Sequence, residues 1–183
     1  MRSLWKCLFI WGIPSPRGSV KDAQVILVQA NSDLVDGSSS ETNKKLAAFA
    51  ANLHRRTGLP IYAQGEVGRI LLANKVSVQA ITLRQDEATQ KGIGRIDTVS
   101  VALEQEMDCD KKGFKKIIPV APVPHIWRVI WVYEKLGFDV IIPPGVPTMV
   151  WKEEMKQGQW RAPGSGYLYE LGARLLYWYN GWI

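Results

Sequence analysis

His125 and Arg128 stand three residues apart, directly behind the turn Pro122-Val123-Pro124. An imidazole changes charge near neutral pH and can serve as acid, base or anion ligand. A guanidinium offers a planar fork that fits phosphate or carboxylate. Spacing of three puts both side chains on one face of a helix. The run before them, Ile117 to Ala121, is apolar and reads as a buried strand that the prolines end. A strand that hands over to a helix in this way belongs at the carboxyl edge of a sheet, where open α/β folds bind ligands. The first amides of that helix add a further attraction for anions. Local sequence also fits a quieter arrangement, with His125 satisfying a loop carbonyl and Arg128 paired to a nearby acid.

Other polar groups fall at comparable places. Gln29, Asn31 and Ser32 end the apolar run Ala23 to Ala30, followed by Asp33 and Asp36. They can bind a ligand's hydroxyls or amides, or do ordinary turn work. Gln64-Gly65-Glu66 ends a second short strand, Leu59 to Ala63, and Gly65 admits a positive φ or a close backbone approach. Asp97-Thr98 opens another helix, with either residue able to cap it. His54, beside Arg55 and Arg56, is expected at a helix end facing solvent.

Several chemistries lack their sequence signatures. No GxGxxG follows the first strand, and no P-loop, HExxH or GxSxG occurs. Two distant histidines, with Cys7 and Cys109 far apart, make neither a zinc site nor a disulfide framework. Net charge is +6, from 23 basic and 17 acidic residues. The densest basic cluster, Lys111, Lys112, Lys115 and Lys116, suits a solvated helix end, and no aromatics interleave it as nucleic-acid binding would ask.

The elements that must position these groups alternate along the chain. Strands are expected over 23–30, 59–63, 76–83, 117–121 and 138–142. Helices are expected from Ser40, as N-cap, to Thr57-Gly58, then over 67–75, 96–108, 126–136 and 167–179. Arg84 to Arg95 is expected to be a polar loop containing Gly92 and Gly94. A Pro/Gly-rich crossing joins Pro143 to Gly166. Apolar strands between helices mean a three-layer α/β Rossmann-like fold, with a mostly parallel sheet of about five strands and helices on both faces. At 183 residues, 46% hydrophobic and 22% charged, the chain fits one globular domain over 19–183. Residues 1–18 form an apolar, basic extension, too short for the roughly 20 apolar residues of a bilayer span. It reads as a cytosolic or membrane-surface segment in preference to an export signal.

With those residues in place, the chain resembles the YdcF-like (SanA/ElyC) family. The likeness rests on Val120-Ala121-Pro122-Val123-Pro124-His125-Ile126-Trp127-Arg128-Val129, then Leu136-Gly137-Phe138-Asp139-Val140, and on the C-terminal run Tyr169 to Ile183. Asp97-Thr98 with Ala102 is similar to the family's Asn-Thr motif, and Gly65 matches one glycine of its Ser-Gly-Gly loop. Departures are plain. Gln29-Ala30-Asn31 replaces a glycine after the first strand, Ala121-Pro122 stands for Thr-Ser, Ser100-Val101 for Glu-Asn, and Lys45 for an arginine. The resemblance implies a divergent member with a polar pocket at the strand ends. It implies an undefined biochemical activity and a link to bacterial envelope physiology.

The expected function is therefore binding of a small anionic or nucleotide-like molecule. S-adenosylmethionine or another adenosine compound is the trial ligand, by fold analogy. His125 would be the acid/base or anion ligand. Arg128, Asn31, Gly65, Glu66, Asp97 and Thr98 would bind, with no metal. The alternative is a non-catalytic envelope or partner-binding protein that uses its Trp/Tyr-rich C-terminus; six of eight tryptophans lie at or beyond Trp127.

Overall fold

Val25–Val28 (β1) is buried at all four positions, so it must be covered on both faces and flanked on both edges. The computed structural model, which describes residues 4–82 and 97–183, supplies each cover. A short helix, Leu4–Phe9 (α1), comes before β1. Glu41–Thr57 (α2), Ile61–Gln64 (β2), Gly65–Ala73 (α3) and Ala80–Thr82 (β3) follow it. The chain then forms Thr98–Lys112 (α4), Lys116–Val120 (β4), Ile126–Lys135 (α5), Asp139–Val140 (β5) and Pro163–Tyr179 (α6).

The five strands form one parallel sheet in the order β3-β2-β1-β4-β5. Ile26 lies between Ile61 and Ile118. Alternate residues face opposite layers. Val25, Leu27 and Ile117 pack with Ala102 of α4 and Val129, Ile130 and Tyr133 of α5. Ile26, Val28 and Ile118 pack with Leu46 and Ala50 of α2 and Val67 and Leu71 of α3. The expected three-layer α/β Rossmann-like architecture is what forms. The winding reverses between β1 and β4, and the gap outside their carboxyl ends is the natural ligand crevice.

Pro119 sits inside β4, which is not an edge strand. Ile117 and Val120 mark the two sides: the Ile117 carbonyl accepts from Ile141, and the Val120 carbonyl accepts from Gln29 of the β1 chain. Pro119 therefore turns its missing N–H toward β5, which pairs only at Lys116 and Ile117 and has already ended.

Element ends differ from expectation in readable ways. Ser40 caps α2 as expected, accepting from the Asn43 amide, and Gly58 closes the helix at φ 73°. β3 is only three residues, because Val76 and Val78 pack into the core before pairing starts. α3 begins at Gly65 with no intervening loop, so Gly65 is helical, not left-handed. α6 starts at Pro163, four residues early, with proline in its favoured first-turn position. His54 does not face solvent freely; its Nδ1 is 2.7 Å from the Leu59 carbonyl oxygen. The expected polar loop 84–95 lies outside the described residues.

Two segments lacking strand or long helix still matter. Residues 143–162 run back over the carboxyl ends of the sheet, bridging Thr148 to Val123 and Met155 to Leu34, around a small core of Met149, Met155 and Trp160. Near the N-terminus, Arg17 pairs with Ile142 through two backbone hydrogen bonds and reaches Glu134 at 2.6 Å, while α1 packs on α6. Among the described residues, no helix is long and apolar enough to cross a membrane.

Two glycines of α6 predict opposite effects. A Cβ on Gly166 would fall 2.0 Å from the Trp151 ring, whereas one on Gly172 meets nothing within 4 Å. Urea unfolding should show Gly166→Ala destabilised by about 1–3 kcal/mol through overpacking. Gly172→Ala should gain up to about 1 kcal/mol from helix propensity.

Candidate functional site

The wall after β1 is built by side chains from other elements. Ala30 N–H donates to Gln64 Oε1 at 2.9 Å, which is why the Gln64 side chain does not cap α3. Asn43, fully buried on α2, holds the next turn from both sides. Its Oδ1 accepts from Asn31 N at 2.8 Å, and its Nδ2 donates to the Asn31 carbonyl and to Asp33 Oδ1, each at 3.0 Å. Asp33 Oδ2 accepts from Arg69 at 2.8 Å. Beneath this wall, Gln29 donates to the Thr98 carbonyl and the Tyr133 hydroxyl. That hydroxyl donates to Gln105, which in turn donates to the Val28 and Tyr62 carbonyls. The network couples α4 and α5 to β1 and β2 with its polar atoms matched. Burial pushes the Tyr133 phenol well above its ordinary range, so it stays a neutral donor.

The opposite wall centres on a carboxylate. Glu170 of α6, fully buried, accepts from Arg128 Nη2 at 3.0 Å and Nε at 3.2 Å, and from Arg174 Nε at 3.1 Å. Arg128 also donates to Thr98 Oγ1 at 2.5 Å and to His125 Nδ1 at 2.8 Å, and lies over the Tyr177 ring. Arg174 spends its other donors on the Ile10 carbonyl at 2.6 Å and the Pro124 carbonyl at 3.0 Å. Burial alone would raise the Glu170 carboxyl. The Arg128 charge and the hydrogen bonds around it overturn that and hold it at about 2.

This pairing decides the state of His125. Arginine is always a donor, so Nδ1 must accept and carries no proton. Glu170 Oε2, at 3.7 Å from the same nitrogen, is too far for a hydrogen bond. Burial, and then the Arg128 charge, lower the His125 pKa from its usual value. The ring is therefore neutral at neutral pH, with its hydrogen on Nε2, which has no partner among the described residues. Such a ring is a hydrogen-bond donor; its geometry does not suit it to act as a base.

Between the walls lies a cavity of about 140 Å³ at the carboxyl ends of β1 and β4. Asn31, Glu66, Asp97, Thr98, His125 and Arg128 all line it, and Gly65 does not, being tucked into the first turn of α3. Asp97 is there as the N-cap of α4, in a reciprocal capping box with Ser100. Arg128 lines the cavity but has given its fork to Glu170, so the paired arrangement is the one that forms. The crossing segment closes the cavity with Lys156, Gln157 and Trp160, and Tyr169 of α6 meets Trp160 edge-on at 5.3 Å. Lys156 is exposed and makes no ion pair among the described residues. No group of three or more metal-ligating residues occurs among the described residues.

Sequence reasoning missed Asn43, Lys156, Trp160, Glu170 and Arg174. Only the last pair carried a signal. They are the sole charges in a 17-residue helix, spaced i, i+4. No protein-family model, curated protein or solved structure matches the chain.

Glu170→Gln would leave two buried guanidiniums without their carboxylate, and should cost about 3 kcal/mol or more. The folded-state pKa lies below the unfolded value of about 4.3. The contribution is therefore complete above that pH and is lost as pH falls toward about 2. Chemical denaturation of both proteins from pH 7 to pH 2 should show the gap between them closing through that window.

Proposed function

We propose that the chain binds a small polar ligand of anionic or nucleotide-like chemistry outside the carboxyl ends of β1 and β4. The observation that carries this is convergence: six side chains from four separate stretches of sequence line one cavity at the point where the sheet's winding reverses. Lys156 and the Nε2–H of His125 are the groups free to meet an anionic end. Glu66 and Asp97 line the same cavity with carboxylates that suit donors or a positive centre. Trp160 and Tyr169 supply flat apolar surface for a ring. A ligand bearing both signs of charge and a heteroaromatic ring suits such a lining, and S-adenosylmethionine is a compound of that description.

Binding is the better-supported role than catalysis. His125 is locked as a donor, Arg128 is neutralised by Glu170, and the positions before the histidine are Ala121 and Pro122. This reading keeps the chain as a divergent YdcF-like protein with an envelope connection, on the strength of the motif order already described.

Thermal unfolding with S-adenosylmethionine, adenosine and ATP tests the reading. The wild-type midpoint should rise with at least one of them. His125→Ala, which loses one neutral hydrogen bond, should weaken binding by up to about tenfold, and Lys156→Ala by about tenfold or more. Equal shifts in all three proteins, or no shift with any of the compounds, would overturn the assignment.

A further inference from the structure

The cavity outside β1 and β4 has a volume of about 140 Å³. Drug-sized ligands are enclosed in roughly 300–1,000 Å³. These walls therefore enclose a small molecule whole, or one end of a larger one. The charges and rings that meet there decide which end.

The charges are of both signs. Arg128 is paired with Glu170 at 3.0 Å, and Asp33 with Arg69 at 2.8 Å. Facing a guest are the exposed ammonium of Lys156, the Nε2–H of His125 and the carboxylates of Glu66 and Asp97. Asp97 has capacity to spare. Its Oδ1 accepts from the Ser100 amide, and a carboxylate offers about four acceptor sites. A purely anionic guest would lie beside two carboxylates, and a purely cationic one beside Lys156. Like charges set together oppose binding, so a guest with both signs fits best.

An α-amino acid carries its ammonium and its carboxylate on one carbon, so the groups that receive them must be neighbours. Arg128 supplies that closeness. It donates to Thr98 Oγ1, next to Asp97, and to His125 Nδ1, so the start of α4 and the start of α5 flank one guanidinium. Trp160 supplies the apolar part. It is 5% exposed, is met edge-on by Tyr169 at 5.3 Å, and is fixed by its indole N–H donating to Gln157 Oε1 at 3.1 Å. Aliphatic carbon and thioether sulfur both pack well against such a ring.

We infer that the cavity takes an α-amino acid head group on an apolar stem. The carboxylate accepts from the His125 Nε2–H with Lys156 as its counter-charge, the ammonium donates to Asp97, and the stem lies against Trp160. The inference rests on the ligand reading above and narrows it. Two sources share this chemistry: a free amino acid such as methionine, and the aminocarboxypropyl end of S-adenosylmethionine.

Isothermal titration calorimetry of the full chain separates them. S-adenosylmethionine should bind at least about tenfold more tightly than 5′-methylthioadenosine, which keeps the nucleoside and the sulfur but lacks the amino acid. If the guest is a free amino acid, L-methionine should bind. N-acetyl-L-methionine and L-methionine methyl ester, each short of one charge, should then bind at least about tenfold more weakly. Asp97→Asn keeps an N-cap of similar quality, so its thermal midpoint should stay near wild type while affinity for the ammonium-bearing ligand falls about tenfold. Adenosine, ATP or 5′-methylthioadenosine binding as tightly as S-adenosylmethionine, with no binding of L-methionine, would overturn the head-group inference and leave the ligand reading standing. The inference would equally fail if L-methionine and its two blocked forms bound alike, or if Asp97→Asn bound as wild type does. No binding of any of these compounds would overturn both.

Discussion

The carboxylate of Glu170 is the interaction on which the site depends. Two guanidiniums and one carboxylate are out of water together, and desolvation on that scale is tolerable only with near-complete pairing. The pairing reaches through the molecule. Arg128 ties α5 to Thr98 at the start of α4, and Arg174 ties α6 to the Pro124 carbonyl and to Ile10 of the N-terminal segment. Both guanidiniums also lie against aromatic faces, Arg128 on Tyr177 and Arg174 on Trp11 and Trp131. Glu170 and Arg174 pair within α6, and the seating of that helix brings the carboxylate to Arg128 of α5. The turn before His125, the N-terminal strap and the first turn of α4 are thus held by one centre.

That arrangement explains what the pocket has left to offer. A polar group that already satisfies a buried neighbour is scaffold, however close it lies to a cavity. Arg128, Thr98, Asn31 and Asp33 are largely of this kind. Groups with more capacity for a guest include the Nε2–H of His125, the ammonium of Lys156 and the aromatic pair Trp160–Tyr169. Catalysis by His125 would need a proton to move at a nitrogen that Arg128 keeps occupied. The same helix that organises the pocket from its inner face presents leucines on its outer face, so its single amphipathic period divides a charged interior from an apolar exterior.

Much of this was legible beforehand. Apolar runs too short for helices, alternating with capped amphipathic segments, could form only a covered parallel sheet. Ser40 and Asp97 were readable as caps because their side chains answer amides three residues away. His125, Arg128, Asn31, Glu66, Asp97 and Thr98 were readable as neighbours because strand ends in such a sheet come together by topology, whatever their separation in sequence. Gly65 failed because the helix started without a loop, once the Gln64 side chain had turned to Ala30.

What sequence alone determined, then, was the fold class and the edge of the sheet where the polar groups collect, since both follow from local periodicity and the geometry of parallel strands. Tertiary structure alone decided their chemistry. Whether an arginine is a free clamp or half of an ion pair depends on which acid packs beside it, and Glu170 lies 42 residues beyond Arg128. The wall contributed by residues 143–162 was equally beyond reach. A proline- and glycine-rich segment has no period to read, and its course was set by contacts with Ser32, Asp33 and Leu34, far away in sequence.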